Sequence, residues 1–283
     1  MRFRTLFFAH WTLTMKIIHI TDIHVRPPGE TIYGMNSAER FRIVVDDVAE
    51  RHPDADLAVI TGDLTHYGEP EAYDVLAPIA ARLPMPVRLM LGNHDRRASF
   101  LARFPDSPVD ENGFVQSYLD APGRIGRLLF LDTHETGWSG GRLCEKRLGW
   151  LKGRLAEAED RPATIFMHHP PLRFGVAHFD QICLAEPEPF LDILKAHKGG
   201  IRHLFLGHIH LPMNGVFPGG IPFTAGRGCN HQIILNAPEK RCSWAAGEPN
   251  YNIILMQEDS LFIHAFDKIG AELIGIGEFP PGP

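Results

Sequence analysis

Seven residues in five separate clusters could do chemistry together: Asp22 with His24, Asp63, Asn93, His168, and His208 with His210. All are oxygen or imidazole donors with no thiolate among them, a set suited to two borderline or hard divalent ions such as Mn, Fe, Zn or Co. In a two-metal site one carboxylate bridges ions about 3.5–4 Å apart, and each ion keeps an open position for water and for substrate oxygens. Asp63, central in chain order and alone behind Gly62, is the natural bridge. The pairs Asp22-x-His24 and His208-x-His210, read as extended backbone, point both members to one side, a geometry for joint coordination. Gly62, Gly92 and Gly207 each precede a ligand, where a missing side chain allows a tight turn and close backbone approach. Each cluster taken alone also reads as ordinary turn chemistry. Gly92-Asn93-His94-Asp95 could be a helix-capping turn, and His168-His169-Pro170-Pro171 a rigid loop. For the metal reading to fail, five such readings would have to hold at once and in order.

The elements that must position these residues are apolar runs, each ending in one of the clusters. Residues 16–21, 56–61, 87–91, 164–167 and 201–206 read as buried strands, and active sites form at such strand ends because the loops there are free of sheet hydrogen bonding. Between them lie helical patterns. Asn36 is positioned to cap a helix to about Arg51, with Glu39 reaching back and Phe41, Val44, Val45 and Val48 on one face. Residues 69–82, 145–157 and 186–197 complete the helices, 100–113 reads as loop, and 114–118 with 127–132 read as strands leading into a second sheet. Residues 252–256 and 261–266 read as a hairpin with Asp259-Ser260 near its turn. Successive strand-to-helix units argue for a mixed or parallel sheet with helices on its faces.

Composition narrows the function classes. The 283 residues are 44% hydrophobic, enough for a sizeable core, and 28 Lys plus Arg against 34 Asp plus Glu, without a basic cluster, argue against binding long nucleic acid. Sixteen His is a high count, and imidazole serves both as neutral metal ligand and as proton carrier near neutral pH. Cys144, Cys183, Cys229 and Cys242 have no C-x-x-C spacing, so a reducing, cytoplasmic setting is expected. Residues 6–9 are too short an apolar run for a signal-peptide core or a membrane span. With Met15 directly before the first strand, residues 1–14 are expected to be a poorly ordered extension from an upstream start, and 15–283 the domain. Neither a nucleophile elbow nor a P-loop is present, which removes serine hydrolases and nucleotide-triphosphate switches.

In series, Asp22-x-His24, Gly62-Asp63, Gly92-Asn93-His94-Asp95, His168 and Gly207-His208-x-His210 resemble the calcineurin-like metallophosphoesterases, most nearly the class III cyclic nucleotide phosphodiesterases and the binuclear-metal glycerophosphodiesterases. The resemblance spans about residues 16–231 and includes Thr164-Ile-Phe-Met-His-His-Pro-Pro-Leu172. It implies an α/β fold, a four-layer α/β/β/α sandwich of two mixed sheets flanked by helices. By carry-over, Asp22, His24, Asp63 and His210 hold one ion, and Asp63, Asn93, His168 and His208 the other, with a metal-bound hydroxide as nucleophile. His94 becomes the proton donor to the leaving alkoxide or an orienting contact to a phosphate oxygen, with Asn93 beside it at the substrate. His169 and His231 match positions at the outer shell and substrate pocket, although His231 also reads as a loop histidine without a role. His66 reads as facing the cleft or capping the following helix, with the cap preferred, Arg26 as a solvated side chain, His134 as a loop residue and His19 as a core or hydrogen-bonded residue. The expected activity is phosphodiester hydrolysis, with 3′,5′-cyclic nucleotides ahead of glycerophosphodiesters or 2′,3′-cyclic nucleotides; a non-catalytic metal-binding scaffold is the rival from another class. The same resemblance implies a homo-oligomer, with about 236–283 as a dimerisation or cap segment.

Overall fold

Apolar side chains on both faces of the strands dictate a layered structure. In the first strand, β1 (Met15–Ile20), Ile17 is buried on one face and Ile18 and Ile20 on the other, so neither face meets water. The structure, a computed structural model, describes residues 14–235 and 242–272. The extension expected over 1–14 therefore lies outside the described residues but for Thr14, as does the Pro-rich 279–283.

The first sheet joins β1 to β2 (Leu57–Ile60) and β3 (Val87–Leu89) in parallel, and to β12 (Tyr251–Met256) and β13 (Leu261–Phe266) in antiparallel fashion, in the order β13-β12-β1-β2-β3. The second contains β4 (Ser117–Asp120), β5 (Arg127–Phe130), β6 (Ala163–Met167), β7 (Ile201–Leu206), β8 (Met213–Phe217) and β9 (Ile221–Ala225), in the order β4-β5-β6-β7-β9-β8. Its four inner strands run parallel, with antiparallel strands at both edges. A short pair, β10 (Gln232–Ile234) with β11 (Ser243–Ala245), stands apart.

Three apolar clusters make the layers. Ile17, Leu57, Val59 and Ile254 of the first sheet meet Leu128, Phe130, Phe166 and Phe205 of the second. Outside the first sheet, Ile18, Ile20 and Ile60 pack under α1 (Ser37–Arg51), α2 (Pro70–Ala80) and Phe100 of α3 (Arg97–Arg103). Outside the second, Leu129, Ile165 and Leu204 pack under α4 (Glu145–Ala158) and α5 (Glu188–Ala196). The result is the four-layer α/β/β/α sandwich that the sequence leads one to expect.

Several local expectations change. Asn36 Oδ1 accepts from the Glu39 amide at 3.1 Å, but the Glu39 side chain pairs with Arg42 instead of reaching back. Part of the expected loop over 100–113 is α3, whose seven residues fully bury only Phe100 and so carry no readable stripe. Strands β8 and β9 contain Gly215 and Pro222, residues that weaken a strand reading. The C-terminal hairpin is built into the first sheet, with Met15 opposite Met256 and Ile17 opposite Ile254. Among the described residues no helix is long and apolar enough to cross a membrane, and all four cysteines are free.

Candidate metal centre

The parallel strands of both sheets end at one rim of the sandwich, and five clusters meet there. β1 leads to Asp22 and His24, β2 to Asp63, β3 to Asn93, β6 to His168, and β7 to His208 and His210. Ligand atoms of Asp22, His24, Asp63 and His210 all lie within 4.8 Å of one another. Asp63 faces both halves: Oδ2 is 3.6 Å from His24 Nε2, and Oδ1 is 3.3 Å from His168 Nε2. Asn93 Oδ1 lies 3.3 Å from the same His168 nitrogen, and His210 Nε2 is 3.4 Å from Asp22 Oδ1. The His208 ring centroid is 5.1 Å from that of His168, and His208 Nε2 is buried without a hydrogen-bond partner.

The expectation of extended backbone at the paired motifs is overturned. Asp22, His24, Asp63, His208 and His210 have φ of 54°, 47°, 49°, 70° and 54°, in the left-handed region. Each such residue costs on the order of 1–3 kcal/mol and persists only where its surroundings fix it. Here they are fixed by cross-strand hydrogen bonds. The His24 amide donates to the Asp63 carbonyl at 2.8 Å, and the His208 amide to the Asp22 carboxylate at 3.1 Å. Coiling the chain tightly after each strand turns several short segments into one pocket, which a straight extension would carry past each other. Gly62, at φ 99°, shows the crowding: a Cβ there would lie 2.7 Å from both the Gly92 nitrogen and His168 Nδ1.

Outer partners set the imidazole tautomers. His168 Nδ1 donates to the Thr61 carbonyl and His210 Nδ1 to the His231 carbonyl, both at 2.7 Å, leaving their Nε2 lone pairs for the pocket. His24 Nδ1 lies 3.1 Å from His66 Nδ1, and His24 Nε2 lies 3.2 Å from His210 Nε2. Two lone pairs at that separation repel, so a proton or a shared cation must lie between them. Burial holds His24 and His208 well below the ordinary imidazole range, in the neutral form that ligates metals. Burial also works against a charged His168, but its pairing with Asp63 prevails and pushes it up to about 9. A proton thus occupies a place where a cation would satisfy the same carboxylate. Neutral Nε2 donors, two buried carboxylates and an unpartnered buried imidazole nitrogen fit a two-ion centre.

The other expected site residues are also here. His94 is partly exposed; its Nδ1 donates to the His66 carbonyl at 2.8 Å, which leaves Nε2 free to meet a ligand. Its amide donates to Asp63 Oδ1 at 3.0 Å. Asp95 steadies the loop, accepting from the amides of Leu64, Thr65 and Gly92 and from the Tyr73 hydroxyl. His169 is fully buried, with Nδ1 2.7 Å from Thr133 Oγ1 and its ring 4.7 Å from that of His208. His231 stacks on His210 at 4.4 Å and meets Trp244 at 4.5 Å, so it belongs to the cluster.

Three readings are corrected. His66 does not cap α2, whose N-cap is Glu69; its ring stacks on His94 at 4.8 Å, and it braces His24. Its place three residues after Asp63, beside the first strand-end clusters, was the signal for the cleft-facing alternative. Arg26 is not solvated but pairs with Glu30 and Glu69 and lies over the Tyr67 ring. His134, read as a plain loop residue, is buried, and together with His94 it lines a cleft of about 880 Å³.

Comparison with known proteins agrees with this geometry. The profile described as "Calcineurin-like phosphoesterase" matches residues 15–212. A probable cyclic nucleotide phosphodiesterase of Rhodopseudomonas palustris is 39% identical over 88% of this chain and 91% of its own length. A glycerophosphodiester phosphodiesterase of Enterobacter lignolyticus is 32% identical over 69% of this chain and 71% of its own, and a 3′,5′-cyclic adenosine monophosphate phosphodiesterase of Escherichia coli 30% over 69% and 70%. In fold, the chain is similar to a dimetal phosphatase from Danio rerio, with a TM-score of 0.65 at 17% identity over 89% of this chain and 95% of the other.

Proposed function

Because the chain belongs to the calcineurin-like phosphoesterase family, we propose that it is a binuclear metal-dependent phosphodiesterase acting on 3′,5′-cyclic nucleotides. One observation carries the reading: seven oxygen and imidazole donors from five strand ends converge in one pocket, with Asp63 reaching both halves. In this reading Asp22, His24, Asp63 and His210 hold one ion, and Asp63, Asn93, His168 and His208 the other. Fe, Mn, Zn and Co all suit such donors. The chemistry two such ions supply when bound is Lewis acidity, which lowers the pKa of water and offsets charge on the phosphoryl oxygens.

The chain's own residues do the rest. Asn93 is a neutral ligand, so it leaves its ion more positive than a carboxylate would. His94, held through Nδ1–H by the His66 carbonyl, presents Nε2 to the leaving oxygen; in its doubly protonated imidazolium form it delivers the Nε2 proton, or a hydrogen bond, to that oxygen and is left neutral with Nδ1–H in place. His231 and His169 line and back the pocket. The names of the relatives favour cyclic nucleotides, and the 32% identical relative keeps glycerophosphodiesters as a second reading. A complete ligand set argues against a non-catalytic scaffold.

Metal analysis of the purified protein, followed by a panel of cyclic nucleotides, glycerophosphodiesters and monoesters, tests the proposal. About two ions per chain and fastest turnover of a 3′,5′-cyclic nucleotide are expected. Inertness of the metal-loaded protein toward bis(p-nitrophenyl) phosphate would revive the scaffold, and monoester turnover without diester turnover would make it a phosphatase. A homo-oligomer located in the cytoplasm completes the proposal. It is supported by β13, which among the described residues is an edge strand with backbone groups unpaired beside an exposed Phe262, and by the four free cysteines; light scattering at two concentrations measures the assembly.

A further inference from the structure

Two arginines, Arg96 and Arg97, line the cleft beside His94, and a third, Arg26, lies over the ring of the lining Tyr67; two of the three are already neutralised. Arg26 is paired with Glu30 and Glu69. Arg97 makes a two-pronged pair with Asp132, both contacts at 3.0 Å. Arg96 is exposed, and among the described residues no carboxylate lies within ion-pair distance of it. Its stem packs over Gly68, and its amide, not its side chain, donates to the Tyr73 hydroxyl at 3.1 Å. The guanidinium is therefore free of structural duty.

Its location gives it a task. Arg96 lines the same 880 Å³ cleft as His94, with Tyr67, His134, Thr136 and Ser139 on the other walls. If His94 serves the leaving oxygen, the part of the substrate that carries that oxygen extends into this cleft. In a cyclic nucleotide that part is the nucleoside. A guanidinium offers five donors and no acceptor. The exposed edge of guanine presents two acceptors, O6 and N7, whereas that of adenine pairs one acceptor with an amino donor. Only guanine can take the fork of an arginine on both prongs.

We propose that Arg96 selects guanine over adenine, making 3′,5′-cyclic guanosine monophosphate the better substrate. The inference rests on the cyclic-nucleotide reading of the site. It is tested by kcat/KM for the cyclic guanosine and adenosine monophosphates with metal-loaded wild type, Arg96→Ala and Arg96→Lys. Wild type should favour the guanosine substrate on the order of 10-fold, and both variants should lose that ratio, since a lysine ammonium is a point charge without a fork. Thermal melts and metal content establish that the variants are folded and loaded; the Arg96 amide bond to Tyr73 survives either change. A wild type without preference, or variants that lower both substrates equally, would overturn the role of Arg96 while leaving the phosphodiesterase reading standing. Turnover of bis(p-nitrophenyl) phosphate with neither cyclic nucleotide accepted would overturn both this proposal and the cyclic-nucleotide reading.

Discussion

Asp63 is the one carboxylate within reach of imidazoles from both halves of the cluster, His24 at 3.6 Å and His168 at 3.3 Å. Asp63→Ala should therefore reduce bound metal below two ions per chain and cut turnover on the order of 10³-fold, because several kcal/mol of charge stabilisation go with the ions. Unchanged metal content in elemental analysis would remove Asp63 from the ligand set. His94 behaves differently, since its Nδ1 is engaged by the His66 carbonyl and its ring is partly exposed. His94→Ala should slow turnover by about 10²–10⁴-fold with both ions retained, as fits loss of a proton-transfer group. His66 touches His24, a proposed ligand, so His66→Ala should weaken the affinity for the ion assigned to His24 by about 10–100-fold in a chelator titration. A wild-type affinity would return His66 to an ordinary loop residue. The candidate ligands that the structure brings together were legible in the sequence because each is a chemically unusual residue at the end of an apolar run. His66 was legible only as one of two readings, cleft or helix cap, because the choice depends on how the chain turns after the left-handed Asp63.

At the level of elements, precision at the rim depends on two sheets kept in register by a shared apolar layer. Phe166 lies between Phe130 at 5.4 Å and Phe205 at 4.9 Å, in the strand β6 that ends one residue before His168. Phe166→Ala should destabilise the fold by about 3–5 kcal/mol in urea titrations, the cost of an aromatic-sized hole. A loss below about 1 kcal/mol would show that the layer relaxes around the gap. The buried strands were readable as continuous apolar runs, and α1 as an amphipathic stripe. Helix α3 and strands β8 and β9 escaped, since one short helix with a single fully buried side chain and two strands broken by Gly215 and Pro222 leave no period to follow.

Across the whole molecule, buried histidines away from the rim link stability to pH. Burial depresses His19 to about 3 and His203 to about 4; His19 Nε2 bonds Thr61 Oγ1 at 2.9 Å and His203 Nε2 bonds Thr224 Oγ1 at 3.0 Å. Both stay neutral in the folded chain, while in the unfolded chain they take up protons below about pH 6.5. Between those values the unfolded state binds more protons, so stability rises with pH there. The chain should lose resistance to urea steadily as the pH falls from 6.5 toward 4. In metal-free protein, His203→Gln, which cannot titrate, should flatten that slope; an unaltered slope would assign the dependence elsewhere.

The amino-acid sequence alone determined the donor set, its order and the strands that carry it, because ligand chemistry and apolar runs are local properties of residues. Its strand-to-helix order determined a mixed or parallel sheet with helices on its faces, while the two-sheet sandwich followed only from the family resemblance of the motifs. Tertiary structure decided what depends on residues far apart in the chain. It turned the expected extended pairs into left-handed coils, supplied the Thr61 and His231 carbonyls that orient the imidazoles, and set His66 behind His24. It also left Arg96, beside His94, without an ion-pair partner among the described residues, while Arg97, its neighbour in sequence, is paired with Asp132 from the other sheet. Two adjacent arginines look alike in a sequence, and only the packing of one sheet against the other separates the structural one from the one free to meet a substrate.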